Sequence, residues 1–212
     1  MNFREATSEA AHKASAATLA VMKSYALGRY NDEDDISPAL IERLQAEFDG
    51  KVGGIHWQGS IMRHRAGVAN EEGRTGADIA LFFELDTPTH KFKKGLLVQA
   101  KRSEPDDNLR QNDLEKLRKQ CDKMLLFTQS SFVFNYAKSG LRSAPASKIS
   151  GCTNRNLHGE CDWTAYRFFL EFFRSPIGDP RFKSSLARDL PIPNVLELSA
   201  AGEFYNERRV EL

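Results

Sequence analysis

Two apolar segments joined by a polar connection place the strongest constraint on how this chain can fold. Residues 77–85 (ADIALFFEL) and 95–102 (GLLVQAKR) are rich in the branched and aromatic side chains that favour β-strands. The connection between them, DTPTHKFKK, contains a proline and several polar residues, which predicts an antiparallel hairpin. Strands this apolar are normally covered on both faces, so the remaining sequence has to supply helices for both sides of a sheet.

The segment after the hairpin predicts a helix followed by a third strand. Apolar residues recur at helical spacing between positions 107 and 127, and the run 131–136 (SFVFNY) then alternates aromatic side chains. A helix between two strands forms a crossover, and crossovers join parallel strands. We therefore expect 131–136 to pair in parallel with 95–102.

Further helices are predicted on either side of this central part. Residues 7–29 place apolar side chains on one helix face, and Ser37 followed by Pro38 is typical of a helix start. A strand is expected over 55–64. A strongly aromatic helix is expected over 162–174, where the spacing of the rings is that of a face packed on a sheet.

Together these elements predict a single α/β domain over residues 1–212, with a central mixed sheet flanked by helices. The core of this domain covers roughly residues 37–136. The helix at 7–29 precedes it, and a helical C-terminal extension, 151–212, follows it.

Composition narrows the class of protein without identifying a partner. The chain is 41% hydrophobic and 28% charged, with a formal net charge of +1. These values are ordinary for a soluble globular protein, so a bound nucleic acid would have to meet basic residues segregated on one surface. No run approaches the roughly 20 apolar residues of a membrane span. The cysteines, three in number, fit a reducing compartment, and we expect a cytoplasmic protein that does not enter membranes.

A carboxylate, an amide and a lysine are expected to meet at one end of the hairpin. Gln99 and Lys101 are two residues apart in a strand, so their side chains project from the same face. Asp78 begins the preceding strand and therefore lies opposite the end of the second one. Carboxylate and amide oxygens suit Mg²⁺, and a lysine beside them would face a phosphate. The alternative is a structural ion pair between Asp78 and Lys101 beside a turn.

These residues resemble the second and third motifs of the PD-(D/E)XK nuclease superfamily. Asp78 in GADIAL is similar to the acidic motif, and Gln99-Ala-Lys101 in VQAKR is similar to the branch that includes Mrr-type restriction endonucleases. The order of elements from 37 to 136 is similar as well, so the resemblance covers about half of the chain. Alanine precedes Asp78 where many members carry proline or glycine, and Gln99 replaces the usual acid.

The resemblance implies a restriction-endonuclease-like fold and a Mg²⁺-dependent deoxyribonuclease, with Mn²⁺ as a substitute metal. Members with this glutamine commonly take an acid from the preceding helix, and Glu42 matches that place better than Glu47. The metal ligands would then be Asp78, Gln99 and Glu42. The metal would lower the pKa of a bound water that attacks the phosphate. Lys101 would stabilise the charge that develops on the phosphate or orient that water.

Basic residues outside the motifs indicate where DNA would bind. No acidic residue occurs between Asp122 and Glu160, a stretch that carries lysines, arginines and serines able to follow a phosphate backbone. A second small basic cluster surrounds His64. The predicted nucleic-acid-binding residues are Arg63, Arg65, Lys138, Arg142 and Lys148. The alternative for the longer stretch is a solvated loop.

Two functional interpretations follow. The first is an endonuclease of restriction, anti-phage defence or repair, acting as a homodimer or as a subunit of a larger complex. Because the chain has no phosphate-binding glycine loop, an associated ATPase would be a separate protein. The second is a catalytically inactive nuclease-fold module that binds nucleic acid or a partner protein, since Gln99 removes one metal-binding charge. Glu71 and Glu72, on a glycine-bearing loop, are further candidate acids.

Overall fold

The computed structural model describes residues 1–62, 75–187 and 190–204. The strands of this part of the chain are β1 (Gly50–Val52), β2 (Ile55–Met62), β3 (Ile79–Asp86), β4 (Lys91–Arg102), β5 (Ser131–Ala137), β6 (Gly140–Pro145), β7 (Trp163–Thr164) and β8 (Asn194–Ala201). They form a mixed sheet in the order β1-β2-β8-β3-β4-β5-β6-β7.

Helices cover both faces of the sheet. They are α1 (Phe3–Ala26), α2 (Glu33–Glu47), α3 (Gln111–Phe127), α4 (Ala146–Ser150), α5 (Leu157–Glu160), α6 (Ala165–Arg174) and α7 (Ser184–Ala187). Apolar residues of α1, α2 and α6 form one core on one face, and those of α3, α4 and α5 form a second core on the other. The predicted α/β class, with a mixed sheet between helical layers, is therefore confirmed.

The predicted hairpin and crossover are both present. β3 and β4 are antiparallel with Ile79 opposite Val98, and β4 and β5 are parallel with Val98 beside Phe132. Because side chains alternate along a strand, Val98 enters the core beneath α1 and α2, whereas its neighbour Leu97 enters the core beneath α3. Gln99, two residues from Leu97, therefore belongs to the α3 side of the sheet.

The C-terminal part of the chain is not purely helical, which corrects the predicted helical extension. β8 pairs antiparallel with β2 and parallel with β3, so it lies within the sheet rather than beyond it. The sheet consequently does not end near residue 136. Pro191 and Pro193 immediately precede β8, and prolines interrupt the sequence pattern ahead of this strand.

Helix α2 begins earlier than the Ser37–Pro38 pair predicts. Asp32 is the N-cap, and its carboxylate accepts hydrogen bonds from the N–H groups of Asp34 at 3.1 Å and Asp35 at 3.2 Å. The proline therefore lies inside the helix, where it cannot donate a hydrogen bond to the carbonyl of Asp34. This shift places Glu33 and Asp34 in the first helical turn.

The aromatic helix packs as predicted. Phe168, Phe169, Phe172 and Phe173 of α6 are all buried in the core that α6 shares with α1 and α2. Among the described residues, no helix combines the length and the apolar character that crossing a membrane requires.

Candidate active site

Asp78 is held at the start of β3 by the strands on both sides of it. Its N–H donates to the carbonyl of Val98 on β4 at 2.9 Å. Its carbonyl accepts from the backbone N–H of Asn194 at 3.2 Å and from the side-chain Nδ2 of Asn194 at 3.1 Å, at the start of β8. Since Ile79 pairs with Val98, Asp78 lies opposite Gln99. The sheet thus fixes the backbone from which the carboxylate projects.

The side chains of Asp78 and Gln99 are in direct contact. Gln99 Nε2 donates to Asp78 Oδ2 at 2.5 Å and to the carbonyl of Ala100 at 3.0 Å. The same Oδ2 accepts from the N–H of Ala100 at 2.8 Å. Oε1 of Gln99 is buried and has no hydrogen-bond partner within the part of the chain described. Leaving such an atom unpaired costs about 1 to 3 kcal/mol of folding free energy. A contribution to stability therefore does not explain why an amide occupies this position.

Lys101 reaches the start of α2 rather than Asp78. Its Nζ lies 3.3 Å from Oε1 of Glu33, and the same Oε1 accepts a hydrogen bond from the N–H of Arg102 at 3.0 Å. Burial alone would raise the pKa of Glu33, but the Arg102 N–H and the charge of Lys101 hold that pKa below its usual value. The predicted alternative of an Asp78–Lys101 ion pair is therefore not what the side chains form.

The carboxyl group of Asp78 is poorly compensated. Burial raises the pKa of Asp78 to about 7. The hydrogen bond from Ala100 and the charge of Lys101 lower it, whereas the nearby charges of Asp34 and Glu33 raise it further. Carboxyl groups shifted this far toward neutral pH are concentrated in functional sites.

A cleft of about 1150 Å³ opens at this end of the sheet. Its acidic side chains come from the first turn of α2, from the start of β3 and from α3: Glu33, Asp34, Asp78 and Glu115. Its lysines come from the end of β4 and from α3: Lys101, Lys116, Lys119 and Lys123. The lysines therefore outnumber the acid on the α3 side of the cleft, whereas α2 and the start of β3 contribute only acids.

The structure brings three of the four predicted catalytic residues together. Asp78, Gln99 and Lys101 all line the cleft, whereas Glu42 does not. Glu42 follows Glu33 by nine residues in the same helix, a spacing that turns it by about 180° and carries it about 13 Å along the axis. The acid that α2 brings to the cleft is therefore Glu33, with Asp34 beside it, and this corrects the choice of Glu42.

Of the other candidate acids, Glu47 does not line the cleft. Glu47 pairs with Arg43 at 2.8 Å and with Lys13 at 3.7 Å, on the far part of α2. Glu71 and Glu72 lie outside the described residues.

The predicted nucleic-acid-binding residues are not at this cleft as far as the structure describes them. Arg63 and Arg65 lie outside the described residues. Lys138, Arg142 and Lys148 are absent from the cleft lining, and they belong to β6 and the elements next to it. Lys148 is paired with Glu160 at 3.6 Å and Asp162 at 3.5 Å, so its charge is already balanced.

Sequence reasoning missed the acids of α2 and the lysines of α3. The acidic run Asp32–Asp35 falls between the helix expected over 7–29 and the start expected at Ser37, although an Asp followed by acids is the signature of a helix N-terminus. The lysines of α3 recur at positions 116, 119 and 123, a helical spacing that could have revealed a shared face.

The cleft contains oxygen donors of the kind that a hard divalent cation binds, but one of them is engaged in an ion pair. Asp78 offers a carboxylate, Gln99 an amide oxygen without a partner, and Glu33 a second carboxylate that presently pairs with Lys101. No group of three or more histidine, cysteine, aspartate or glutamate side chains able to hold a metal occurs in residues 1–62, 75–187 and 190–204. A metal in the cleft would therefore depend on the amide of Gln99.

Comparison of the chain with protein-family models, with curated proteins and with solved structures gives no match.

Proposed function

We propose that this chain is a divalent-metal-dependent endonuclease with a restriction-endonuclease-like fold, hydrolysing DNA phosphodiester bonds in restriction, anti-phage defence or repair. One observation carries the proposal. A carboxylate with a pKa of about 7, that of Asp78, touches a buried amide with an unpartnered oxygen, that of Gln99, two residues before Lys101. The cleft around them exceeds the roughly 300–1000 Å³ of a small-molecule pocket, which suits a polymer.

The residues present fit a metal if the amide of Gln99 turns. At present its Nε2 faces the carboxylate of Asp78, which is the favourable orientation for two side chains in direct contact. Turning the amide would bring Oε1 to the carboxylate, and this arrangement is favourable only with a cation between the two oxygens. Asp78 and Gln99 would then hold Mg²⁺ or Mn²⁺, together with Glu33. The ion would supply Lewis-acid activation of a phosphate oxygen and of a bound water.

The remaining roles belong to Lys101 and to the charge balance of the cleft. Lys101 lies on the same strand face as Gln99, so its ammonium group can bind a non-bridging phosphate oxygen beside the metal ligands. Its partner Glu33 would give up that ion pair when it turns to the metal. Asp78 must be ionised to bind a metal, and its raised pKa makes this binding weaker below pH 7.

Cleavage of supercoiled plasmid DNA tests the proposal. Purified protein with Mg²⁺ or Mn²⁺ should nick or linearise the plasmid, and a chelator should stop the reaction. Asp78→Ala and Lys101→Ala should each lower the rate by about 10²- to 10³-fold, because each removes a group that stabilises the transition state. Asp49→Ala and Lys51→Ala change exposed residues outside the cleft and are the matched controls.

A second measurement does not depend on cleavage. Mn²⁺ should raise the melting temperature of the wild-type chain but not of Asp78→Ala, since a ligand that binds only the folded state stabilises it. DNA binding without cutting under all these conditions would identify the catalytically inactive module instead. Cutting that survives both cleft substitutions would disprove the assigned site.

A further inference from the structure

Helix α3 presents a row of lysines to the cleft. Lys116, Lys119 and Lys123 are spaced by three and four residues, which places them on one face of the helix, and all three line the cleft. Lys116 and Lys119 are exposed, and neither forms an ion pair among the described residues. Glu115 also lines this wall, and its carboxylate accepts a hydrogen bond from Gln111 at 2.9 Å.

This row is attached rigidly to the strand that carries Asp78. Gly76 has a φ of +72°, and a Cβ at this position would lie 2.4 Å from the carbonyl oxygen and 2.9 Å from the Cα of Gln120. The backbone of α3 therefore touches the turn that leads into Asp78, which only a glycine permits. Lys119 is the neighbour of Gln120, so the lysine row keeps a fixed position relative to the carboxylate.

The charge of the cleft is divided between its elements. Glu33, Asp34 and Asp78 repel phosphate, whereas α3, with three lysines against the one carboxylate of Glu115, attracts it. A polyanion that enters the cleft without a cation would therefore be held along α3. Lys116 and Lys123 are about 10.5 Å apart along the helix axis, which corresponds to about three nucleotide steps of 3.4 Å.

The cleft offers phosphate contacts and no stacking surface. None of its lining side chains within the described ranges is aromatic. Proteins that hold single strands combine a basic groove with aromatic rings for the bases, whereas contacts to a duplex go mostly to the backbone.

We infer that Lys116 and Lys119 of α3, with Lys123 beside them, bind the phosphate backbone of duplex DNA and position it against Asp78 and Lys101. The inference rests on the proposed function for its partner and goes beyond it by assigning the surface and by naming a duplex rather than a single strand. The contacts lie on one side of the cut site, because the opposite side of the cleft is acidic.

Binding measured without metal tests this surface separately from cleavage. A fluorescent duplex and the corresponding single strand are titrated by anisotropy, in chelator, with the wild-type chain and with Lys116→Glu/Lys119→Glu. The variant should lose duplex affinity by about tenfold or more, and the slope of log K against log salt should fall by about two, since two phosphate contacts are lost. Circular dichroism checks that both proteins are folded.

The matched control is Lys23→Glu/Lys51→Glu, which makes the same change in net charge at two exposed lysines outside the cleft. Affinity that falls equally in both double variants, or in neither, would overturn the inference, as would tighter binding of the single strand. Binding through α3 without cleavage in Mg²⁺ or Mn²⁺ would refute the nuclease and leave the surface standing. Unchanged cleavage by Lys116→Glu/Lys119→Glu would refute the surface and leave the nuclease standing.

Discussion

Two buried or partly buried carboxylates lie beside β4, and they differ in how well the protein compensates them. Asp179 exchanges backbone hydrogen bonds with Gly95, and its side chain accepts from Thr128 Oγ1 at 3.1 Å and from the N–H of Arg181 at 2.8 Å. The guanidinium of Arg181, 3.1 Å away, lowers the pKa of Asp179. Asp78, which lies opposite Gln99 nearer the C-terminal end of β4, has the raised pKa of about 7.

The difference separates a structural acid from a functional candidate. Asp179 has a cation and neutral donors in place, so its charge contributes to stability wherever it is ionised. Asp78 has other acids nearby, an amide donor and a lysine that is engaged with Glu33. A fold that tolerates an under-compensated carboxylate beside an unpaired amide oxygen gives up stability there, as functional sites commonly do.

Substituting each carboxylate by its amide should affect activity at one residue and stability at the other. Asp78→Asn should lower DNA cleavage by about 10²- to 10³-fold, because the charge that would hold the metal is lost. Asp179→Asn should leave cleavage per folded molecule unchanged and lower the free energy of unfolding by about 2 kcal/mol, since hydrogen bonds to a charged group are lost. Plasmid cleavage and urea denaturation of both variants provide the comparison. Equal activity loss in the two variants would remove the distinction.

The sheet around Asp78 could be predicted because the apolar segments of the sequence indicate both where the strands lie and how they pair. The segments that became β3 and β4 fixed a hairpin whose register brings Asp78 opposite Gln99. The crossover through α3 then fixed the parallel neighbour β5. These features depend on local pattern and short connections, which sequence reports directly.

The rest of the site depends on contacts that no local pattern encodes. Glu33 reaches Lys101 only because Asp32 caps α2 five residues before the more conspicuous Ser37. β8 enters between β2 and β3 from more than 100 residues away, which sequence order does not indicate. The face of α3 that lines the cleft is set by its contact with Gly76, a tertiary feature.

A glycine precedes each of the two carboxylates, and alanine substitutions at Gly76 and Gly178 compare the packing around them. A Cβ on Gly76 would collide with the backbone of Gln120, whereas a Cβ on Gly178, just before Asp179, would meet the side chain of Lys94, with the Cδ at 2.6 Å. Lys94 is buried and its Nζ donates to the carbonyl of Ile177, but a side chain shifts more readily than helix backbone does. Both glycines have positive φ, +72° and +110°. Gly76→Ala should therefore cost about 3 kcal/mol, the sum of left-handed strain and overpacking, and Gly178→Ala should cost about 1 to 2 kcal/mol.

Denaturant unfolding of both alanine variants measures these costs, and duplex binding shows where the damage falls. Gly76→Ala should also weaken binding, because α3 must move away from Asp78, while Gly178→Ala should bind as the wild-type chain does. A Gly178→Ala variant that is the less stable of the two would contradict the assigned contacts.

The pH dependence of stability provides the smallest effect. Between about pH 4 and pH 7 the folded chain holds a proton on Asp78 that the unfolded chain releases, because the folded pKa is about 7 and the ordinary value is 3.8. Stability due to Asp78 therefore falls as the pH rises through this window and is level above it. The shift sets an upper limit of about 4 kcal/mol. Because Asn in place of Asp78 also weakens the Gln99 contact at every pH, we expect Asp78→Asn to be about 1 to 2 kcal/mol more stable than the wild-type chain at pH 8 and about 1 to 2 kcal/mol less stable at pH 4.

Melting temperatures of both proteins across this range test the prediction, since the difference between them cancels the groups they share. His158, whose pKa is lowered by burial, titrates in part of the same window with the opposite sign, and it does so in both proteins. Asp179, with its lowered pKa, contributes below about pH 4 and not in the window that isolates Asp78. A difference between the two proteins that is constant from pH 4 to pH 8 would mean that Asp78 is ionised throughout. The carboxyl group would then be as well compensated as Asp179, and the contrast between the two carboxylates beside β4 would disappear.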